Sequence, residues 1–243
     1  MSKTNYYTSD LHLFHKNVTD EGSNFDGRPF KTLEEMHKTI KENWNNTVTN
    51  ADHVYILGDL AWKENEDAIQ FVSTLRGNKH LILGNHCKAT DQRYRQLFVE
   101  VVNYKEIKDI VDGKEYHVVM SHYPIAFWNH QHHYRRDGNE HKVWAVQLYG
   151  HVHASNEETI FQEFIRDLNE KHDIKCIAKN VGCMHWNYTP VTLKQILEKE
   201  KENIKIDSLT SLPTYRLSTY ITTGDNPSCC IYIFYHFSMP YSR

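Results

Sequence analysis

Short apolar runs alternate with amphipathic stretches along most of this chain. Asn5–Ser9, Val54–Leu60, His80–Leu83, Glu115–Ser121, Val143–Tyr149 and Ile174–Asn180 are rich in β-branched and aromatic residues and predict strands. Val54-Tyr55-Ile56-Leu57, apolar without a break until Gly58, reads as a strand buried on both faces. Between these runs the spacing changes to that of helices. Thr32-x-x-Glu35 forms a capping box, and Leu33, Met36, Ile40 and Trp44 follow on one helical face. Ala68, Ile69, Val72 and Leu75 predict a second helix that ends before Gly77. A shorter helix begins near Thr90, with Tyr94, Leu97 and Phe98 inward. Ser155-x-x-Glu158 opens another, with Ile160, Phe164, Ile165 and Leu168 inward, and Thr192-x-x-Gln195 caps the last. Asp112-Gly113 between Tyr104–Val111 and Glu115–Ser121 predicts a hairpin. The β-α-β-α order at the start predicts an α/β fold.

Two stretches break this rhythm. Tyr123–Lys142 is polar and lacks a period, so it predicts a long loop; such loops are usually functional or disordered, and this one is expected to face the substrate. Most of its histidines are expected to be solvated surface groups, and none of them a third metal site. From about Asp207 the charged side chains thin out, and 207–243 is expected to be a C-terminal extension to a domain spanning 1–206.

Composition narrows the function classes. The net charge of −3 argues against a protein held to nucleic acid by bulk electrostatics. No apolar segment follows Met1, and no run approaches the roughly 20 residues of a membrane span. The five cysteines lack the C-x-x-C spacing of zinc sites, as free thiols of a reducing compartment would, so a cytoplasmic protein without membrane contact is expected. The unusual count is 17 histidines, which directs attention to metal ligands.

Those ligands gather at strand ends. Ser9-Asp10-Leu11-His12, Gly58-Asp59, Gly84-Asn85-His86, Ser121-His122 and Gly150-His151-Val152-His153 each follow a strand-like run. The C-terminal ends of strands are where an α/β sheet presents functional groups. Asp10 and His12, two residues apart on backbone expected to be extended, would point the same way. Two cations held roughly 3.5–4 Å apart need a bridging anion, and Asp59 is the candidate. Carboxylate, amide and imidazole donors together suit Mn, Fe, Zn or Ni better than Mg²⁺ or Ca²⁺. Each residue alone has an ordinary alternative as a cap, turn or buried polar group; together the ordered blocks point to metal.

The order Asp-x-His, Gly-Asp, Gly-Asn-His, His, Gly-His-x-His resembles the calcineurin-like metallophosphoesterase superfamily, over roughly Tyr6–Leu197. Arg28-Pro29-Phe30, His122-Tyr123-Pro124 and Asn180-Val181-Gly182 resemble its small single-domain bacterial and phage members. The resemblance implies two stacked mixed β-sheets flanked by helices, a four-layer sandwich. It implies two divalent or trivalent transition-metal ions, one on Asp10, His12, Asp59 and His153, the other on Asp59, Asn85, His122 and His151. It also implies that hydroxide held between the ions attacks phosphorus, and that His86 protonates the leaving oxygen. His15, Asn17, Arg28 and Arg135 are candidates for phosphate contact, with plain surface positions as the open alternative. The family's usual acid after Gly-Asn-His is Cys87 here, which removes a carboxylate expected to orient His86.

The function implied is a dinuclear metal-dependent phosphoesterase acting on a phosphorylated small molecule or nucleotide. A nuclease, and a metal-binding scaffold with weakened turnover, are the alternatives.

Overall fold

The computed structural model describes residues 3–200 except Glu21, Asn24, Gly138 and Asn139, and for 134–142 it describes the backbone alone. The extension expected over 207–243 lies outside the described residues. The chain is α/β, with two mixed sheets flanked by helices.

The first sheet contains β1 (Asn5–Thr8), β2 (His53–Leu57), β3 (Asn78–Ile82), β4 (Glu100–Val102) and β11 (Val191–Thr192), in the order β11-β1-β2-β3-β4. All neighbours are parallel except the pair β1–β11. The second sheet contains β5 (Tyr104–Val111), β6 (Lys114–Ser121), β9 (Ala145–Tyr149) and β10 (Ile177–Asn180), in the order β10-β9-β6-β5. Here β5 and β6 are the antiparallel hairpin about Asp112-Gly113, and both turn residues have positive φ, as a tight two-residue turn requires.

Alternation along each strand divides the core. Val54, Ile56 and Leu81 face one way, onto Met36, Ile40 and Trp44 of α1 (Leu33–Thr47) and Ala68 and Val72 of α2 (Glu66–Ser73). Tyr7, Tyr55, Leu57 and Ile82 face the other way and form one cluster with Val118, Met120, Val146 and Leu148 of the second sheet. The buried Tyr7 hydroxyl donates to Asp109 Oδ2 at 2.7 Å and so ties β1 to β5. On the far face of the second sheet, Val119, Ala145 and Tyr149 pack against Ile165 and Leu168 of α4 (Asn156–Lys171). Each fully buried aliphatic or aromatic side chain contributes on the order of 1.5–3 kcal/mol, so this pattern is what fixes the two sheets.

The expected capping residues all cap, but the reciprocal bond forms as expected only at Thr192, which accepts from Gln195 N while Gln195 Oε1 reaches back to Thr192 N. Thr32 accepts from Glu35 N, but Glu35 Oε2 takes Lys31 N, and Asn65 adds a further cap by accepting from Ala68 N. At Ser155 the hydroxyl caps Glu157 N, but Glu158 is drawn inward to accept from Tyr149 Oη and Asn180 Nδ2. Ile160, expected inward, is 57 % exposed, since α4 presents Ile165 and Leu168 to the sheet instead. The third helix shrinks to the single turn α3 (Gln92–Arg95). The Tyr123–Lys142 stretch is not wholly irregular: β7 (Tyr134–Asp137) and β8 (Glu140–Val143) pair as a hairpin that its polarity had hidden. Among the described residues no helix is long and apolar enough to cross a membrane.

Candidate metal centre

Strand pairing carries the segments with the candidate ligands together beyond the ends of the strands. Past β1 and β2, Asp10 N donates to Gly58 O, His12 N to Asp59 O and Leu13 N to Leu60 O, at 2.9–3.2 Å. These bonds set Asp10 and His12 beside Asp59. Past β6 and β9, Gly150 N donates to His122 O at 2.9 Å and sets His122 beside His151. One further bond joins the two sheets here, from His151 N to Asp10 Oδ2 at 3.0 Å.

The backbone at these positions is not the extended chain expected for Asp10 and His12. Asp10 (φ 55°), His12 (49°), Asp59 (46°), His151 (70°) and His153 (48°) all lie in the left-handed region. A non-glycine residue held there costs on the order of 1–3 kcal/mol, and such strain concentrates at functional sites. Both carboxylates are also approached by motif glycines. A β-carbon on Gly84 would collide with Asp59 Oδ1, and one on Gly150 with Asp10 Oδ2. Glycine is therefore needed at both positions.

The side chains converge on two adjoining groups. Asp10, His12 and His153 offer one donor atom each within 4.8 Å of one another, and so do Asp10, Asp59 and His122. Asp59 uses Oδ1 to accept from His86 N, while Oδ2 stands 3.8 Å from His12 Nε2 and 3.5 Å from His122 Nε2. Asn85 Oδ1 lies 2.9 Å from His122 Nε2 and 3.0 Å from His151 Nδ1. The structure thus brings together all seven residues expected to bind metal: Asp10, His12, Asp59, Asn85, His122, His151 and His153.

Three observations show that the set fits cations. Among the described residues, Asp10 Oδ1 and His12 Nδ1 have no hydrogen-bond partner although both side chains are buried. His12 Nε2 and His153 Nε2 face each other at 3.1 Å, a separation that places two potential lone pairs against one another. Two of the ring nitrogens turned away from the centre are fixed: His122 Nδ1 donates to Leu57 O at 2.8 Å, and His153 Nδ1 pairs with Asp26 Oδ2 at 2.9 Å. A hydrogen bond on one imidazole nitrogen leaves the lone pair of the other for a metal. Electrostatics agree. Burial raises the pKa of Asp10 and lowers that of His12, the latter helped by His153 and Arg28, so neither charged form is stabilised by the protein alone. Two buried carboxylates without a cation would carry a penalty of several kcal/mol.

No model of a known family matches the chain. An uncharacterized protein of Methanocaldococcus jannaschii, MJ1445, is 34 % identical over 196 residues, which cover 79 % of this chain and 89 % of MJ1445. The chain belongs to the family of MJ1445. The gene 66 protein of Mycobacterium phage L5 is 37 % identical over 89 residues, 35 % of this chain and 40 % of the phage protein. Its namesake in phage D29 is 28 % identical over 138 residues, 50 % of this chain and 64 % of that protein. Among solved structures, a protein of unknown function, AQ665 from Aquifex aeolicus, superposes with a TM-score of 0.48 at 21 % identity, covering 81 % of this chain and 99 % of that one.

In this MJ1445 relative the remaining candidates divide. His86 is exposed beside the centre, its ring 4.7 Å from Trp62 and 5.8 Å from His12, and no described side chain hydrogen-bonds its imidazole. His15 is buried against Trp62 and Phe25, with Nδ1 unpartnered among the described residues. Asn17 is exposed on a 3₁₀ turn, and the side chain of Arg135 lies outside the described residues. Arg28 is not at the surface of the centre. It is buried behind it, donating to Asp10 O at 2.7 Å, Leu11 O at 2.8 Å and the Asp26 carboxylate at 3.0 Å.

Sequence reasoning missed Asp26. Burial opposes its ionisation, but the hydrogen bonds from His153 and Arg28 outweigh that and hold its pKa below the usual carboxylate value. Its only signal in the sequence is its nearness to Arg28. Cys87 is likewise not beside the His86 imidazole but buried, its Sγ accepting from Leu60 N at 3.3 Å, so it braces the turn that carries Asp59. Burial pushes that thiol up to about 11, which leaves it protonated and unreactive.

Proposed function

We propose that the chain is a dinuclear metal-dependent phosphoesterase of the calcineurin-like metallophosphoesterase superfamily, with a phosphorylated small molecule or nucleotide as substrate. One observation carries the reading: a single carboxylate oxygen, Asp59 Oδ2, stands between two donor groups, 3.8 Å from His12 Nε2 and 3.5 Å from His122 Nε2. That arrangement suits an anion shared by two cations. The paired sheets with helices outside are compatible with the four-layer sandwich that the sequence resemblance implies. Asp10, His12, Asp59 and His153 would hold one ion and Asp59, Asn85, His122 and His151 the other, with Mn, Fe, Zn or Ni suited to the mixed donors. Bound ions would supply Lewis-acid activation of water and charge neutralisation at phosphate.

The chain's own residues do the rest. His122 and His153 are aimed by Leu57 O and Asp26. Arg28 clamps the Asp10 and Leu11 carbonyls from behind and so keeps Asp10 and His12 in place. His86 is tethered through its backbone N–H to Asp59 Oδ1 at 3.0 Å, while its imidazole stays free among the described residues. In this position it holds the proton for the departing ester oxygen.

The test is metal-dependent hydrolysis. Purified protein reloaded with Mn²⁺, Ni²⁺ or Zn²⁺ is expected to cleave an aryl phosphate monoester or diester, and chelated protein is expected not to. Full metal loading without turnover on either ester, or on a panel of nucleotides and sugar phosphates, would leave a metal-binding scaffold and defeat the reading.

A further inference from the structure

A second set of imidazoles converges away from the strand ends. Glu106 of β5 and His117 of β6 are diagonal neighbours on one face of the hairpin, with His117 Nε2 2.8 Å from Glu106 Oε2. His130, from the segment that follows His122, packs edge-on against the His117 ring at 4.6 Å. One donor atom from each of Glu106, His117 and His130 lies within 4.8 Å of the other two. A fourth imidazole is within reach, since His133 Nδ1 is 3.1 Å from His130 Nδ1.

The surroundings orient these groups. Asn129 Nδ2 donates to both Glu106 oxygens at 3.0 and 3.2 Å, which fixes the carboxylate plane. Trp144 lies against His117, His130 and His133, at ring separations of 5.3, 5.1 and 6.2 Å, and forms an apolar wall beside the three imidazoles. His130 is held at φ 63°, a left-handed conformation shared with five ligands of the first centre. The close pair of Nδ1 atoms can share at most one proton between neutral rings, whereas a cation between the donors uses the lone pairs of both.

We propose that Glu106, His117 and His130, with His133 as a fourth donor, form a separate transition-metal site of the zinc class. One carboxylate and up to three imidazoles is a donor set that suits tetrahedral Zn²⁺. The proposal departs from the expectation that none of the histidines of 123–142 belongs to a third metal site: two of their partners, Glu106 and His117, come from a hairpin that sequence spacing does not connect with them. His117 stands five residues before His122 along β6, roughly 16 Å of extended chain, so the site is distinct from the one at Asp59. An ion here would pin the segment leaving His122 to the β5–β6 hairpin. The inference does not depend on the phosphoesterase reading.

The experiment is zinc stoichiometry of the full chain. Protein stripped with a chelator is dialysed against Zn²⁺ buffered at about 1 μM free ion, where structural sites fill, and its metal is measured by elemental analysis. Glu106→Gln and His130→Gln are each expected to bind one equivalent less than wild type, while Asp10→Asn keeps that equivalent. His130 is half-exposed, so its variant is expected to keep the wild-type circular dichroism. Titration with Co²⁺ gives an independent readout, because the visible band of tetrahedral Co²⁺ at this site should disappear in His130→Gln and persist in Asp10→Asn. Unchanged zinc stoichiometry in both Glu106→Gln and His130→Gln would overturn the proposal and leave a hydrogen-bonded polar cluster.

Discussion

His53 opens β2 and Asp59 follows its end, and the two ends of this one strand treat similar side chains in opposite ways. At the N-terminal end His53 Nδ1 meets His80 Nε2 at 2.8 Å, His80 Nδ1 meets Glu100 Oε1 at 2.7 Å, and Lys105 closes the chain onto Glu100 Oε2 at 2.9 Å. Donor follows acceptor along the series, and His53, His80 and Glu100 sit in regular parallel strand pairing. At the C-terminal end the backbone is left-handed at Asp10, His12, Asp59, His151 and His153, and buried Asp10 Oδ1 and His12 Nδ1 are unpartnered among the described residues. The two ends of β2 thus differ in the lone pairs left over after the protein's own hydrogen bonds and in the backbone strain that aims them.

Mutations at the two ends should therefore differ in kind. The largest effect is expected at Asp59. Asp59→Asn should lose at least one ion and lower turnover by more than about 10³-fold, since several kcal/mol of charge stabilisation depends on the pair. Elemental analysis of the variant, with full occupancy as the adverse result, checks it. Next comes His86→Ala, with a loss of roughly 10²–10⁴-fold on alkyl phosphate esters and unchanged metal content. The loss should shrink on a p-nitrophenyl ester, whose leaving group needs little protonation. Equal losses across a leaving-group series would exclude the proton-donor role. Asp26→Asn should weaken metal binding by about 10–100-fold through misorientation of His153, as read by competition with a chelator. An affinity equal to wild type would mean that Arg28 alone suffices to hold this corner. The smallest functional effect belongs to the other end of β2. His80→Gln should leave metal content and turnover unchanged while lowering stability to urea by about 1–3 kcal/mol, the cost of breaking a buried polar chain. Loss of metal from this variant would erase the contrast.

Much of this architecture was legible in the chain. Val54–Leu57 reads as a doubly buried strand because its neighbours cover both faces, and Asp112-Gly113 reads as a hairpin because few other turns accept that dipeptide. The seven donor residues were legible because each sits beside a strand end, where backbone pairing dictates position. What escaped depends on long-range geometry. The left-handed backbone at Asp10 and His12 arises from pairing with Gly58 and Asp59, 48 and 47 residues away, and has no local signature. Arg28 looked like a phosphate contact because arginine commonly is one; only the fold shows its donors used on Asp10 O, Leu11 O and Asp26. Cys87 looked like a defect in the orientation of His86, and its partner Leu60 N comes from another strand end.

The central claim is that Asp59 Oδ2 is shared by two cations, and anomalous diffraction from crystals of the metal-loaded protein tests it most directly. Two anomalous peaks roughly 3.5–4 Å apart are expected on either side of that oxygen, one toward His12 and His153, the other toward Asn85, His122 and His151. A single peak at full loading, or two peaks neither of which is within bonding distance of Asp59 Oδ2, would contradict it.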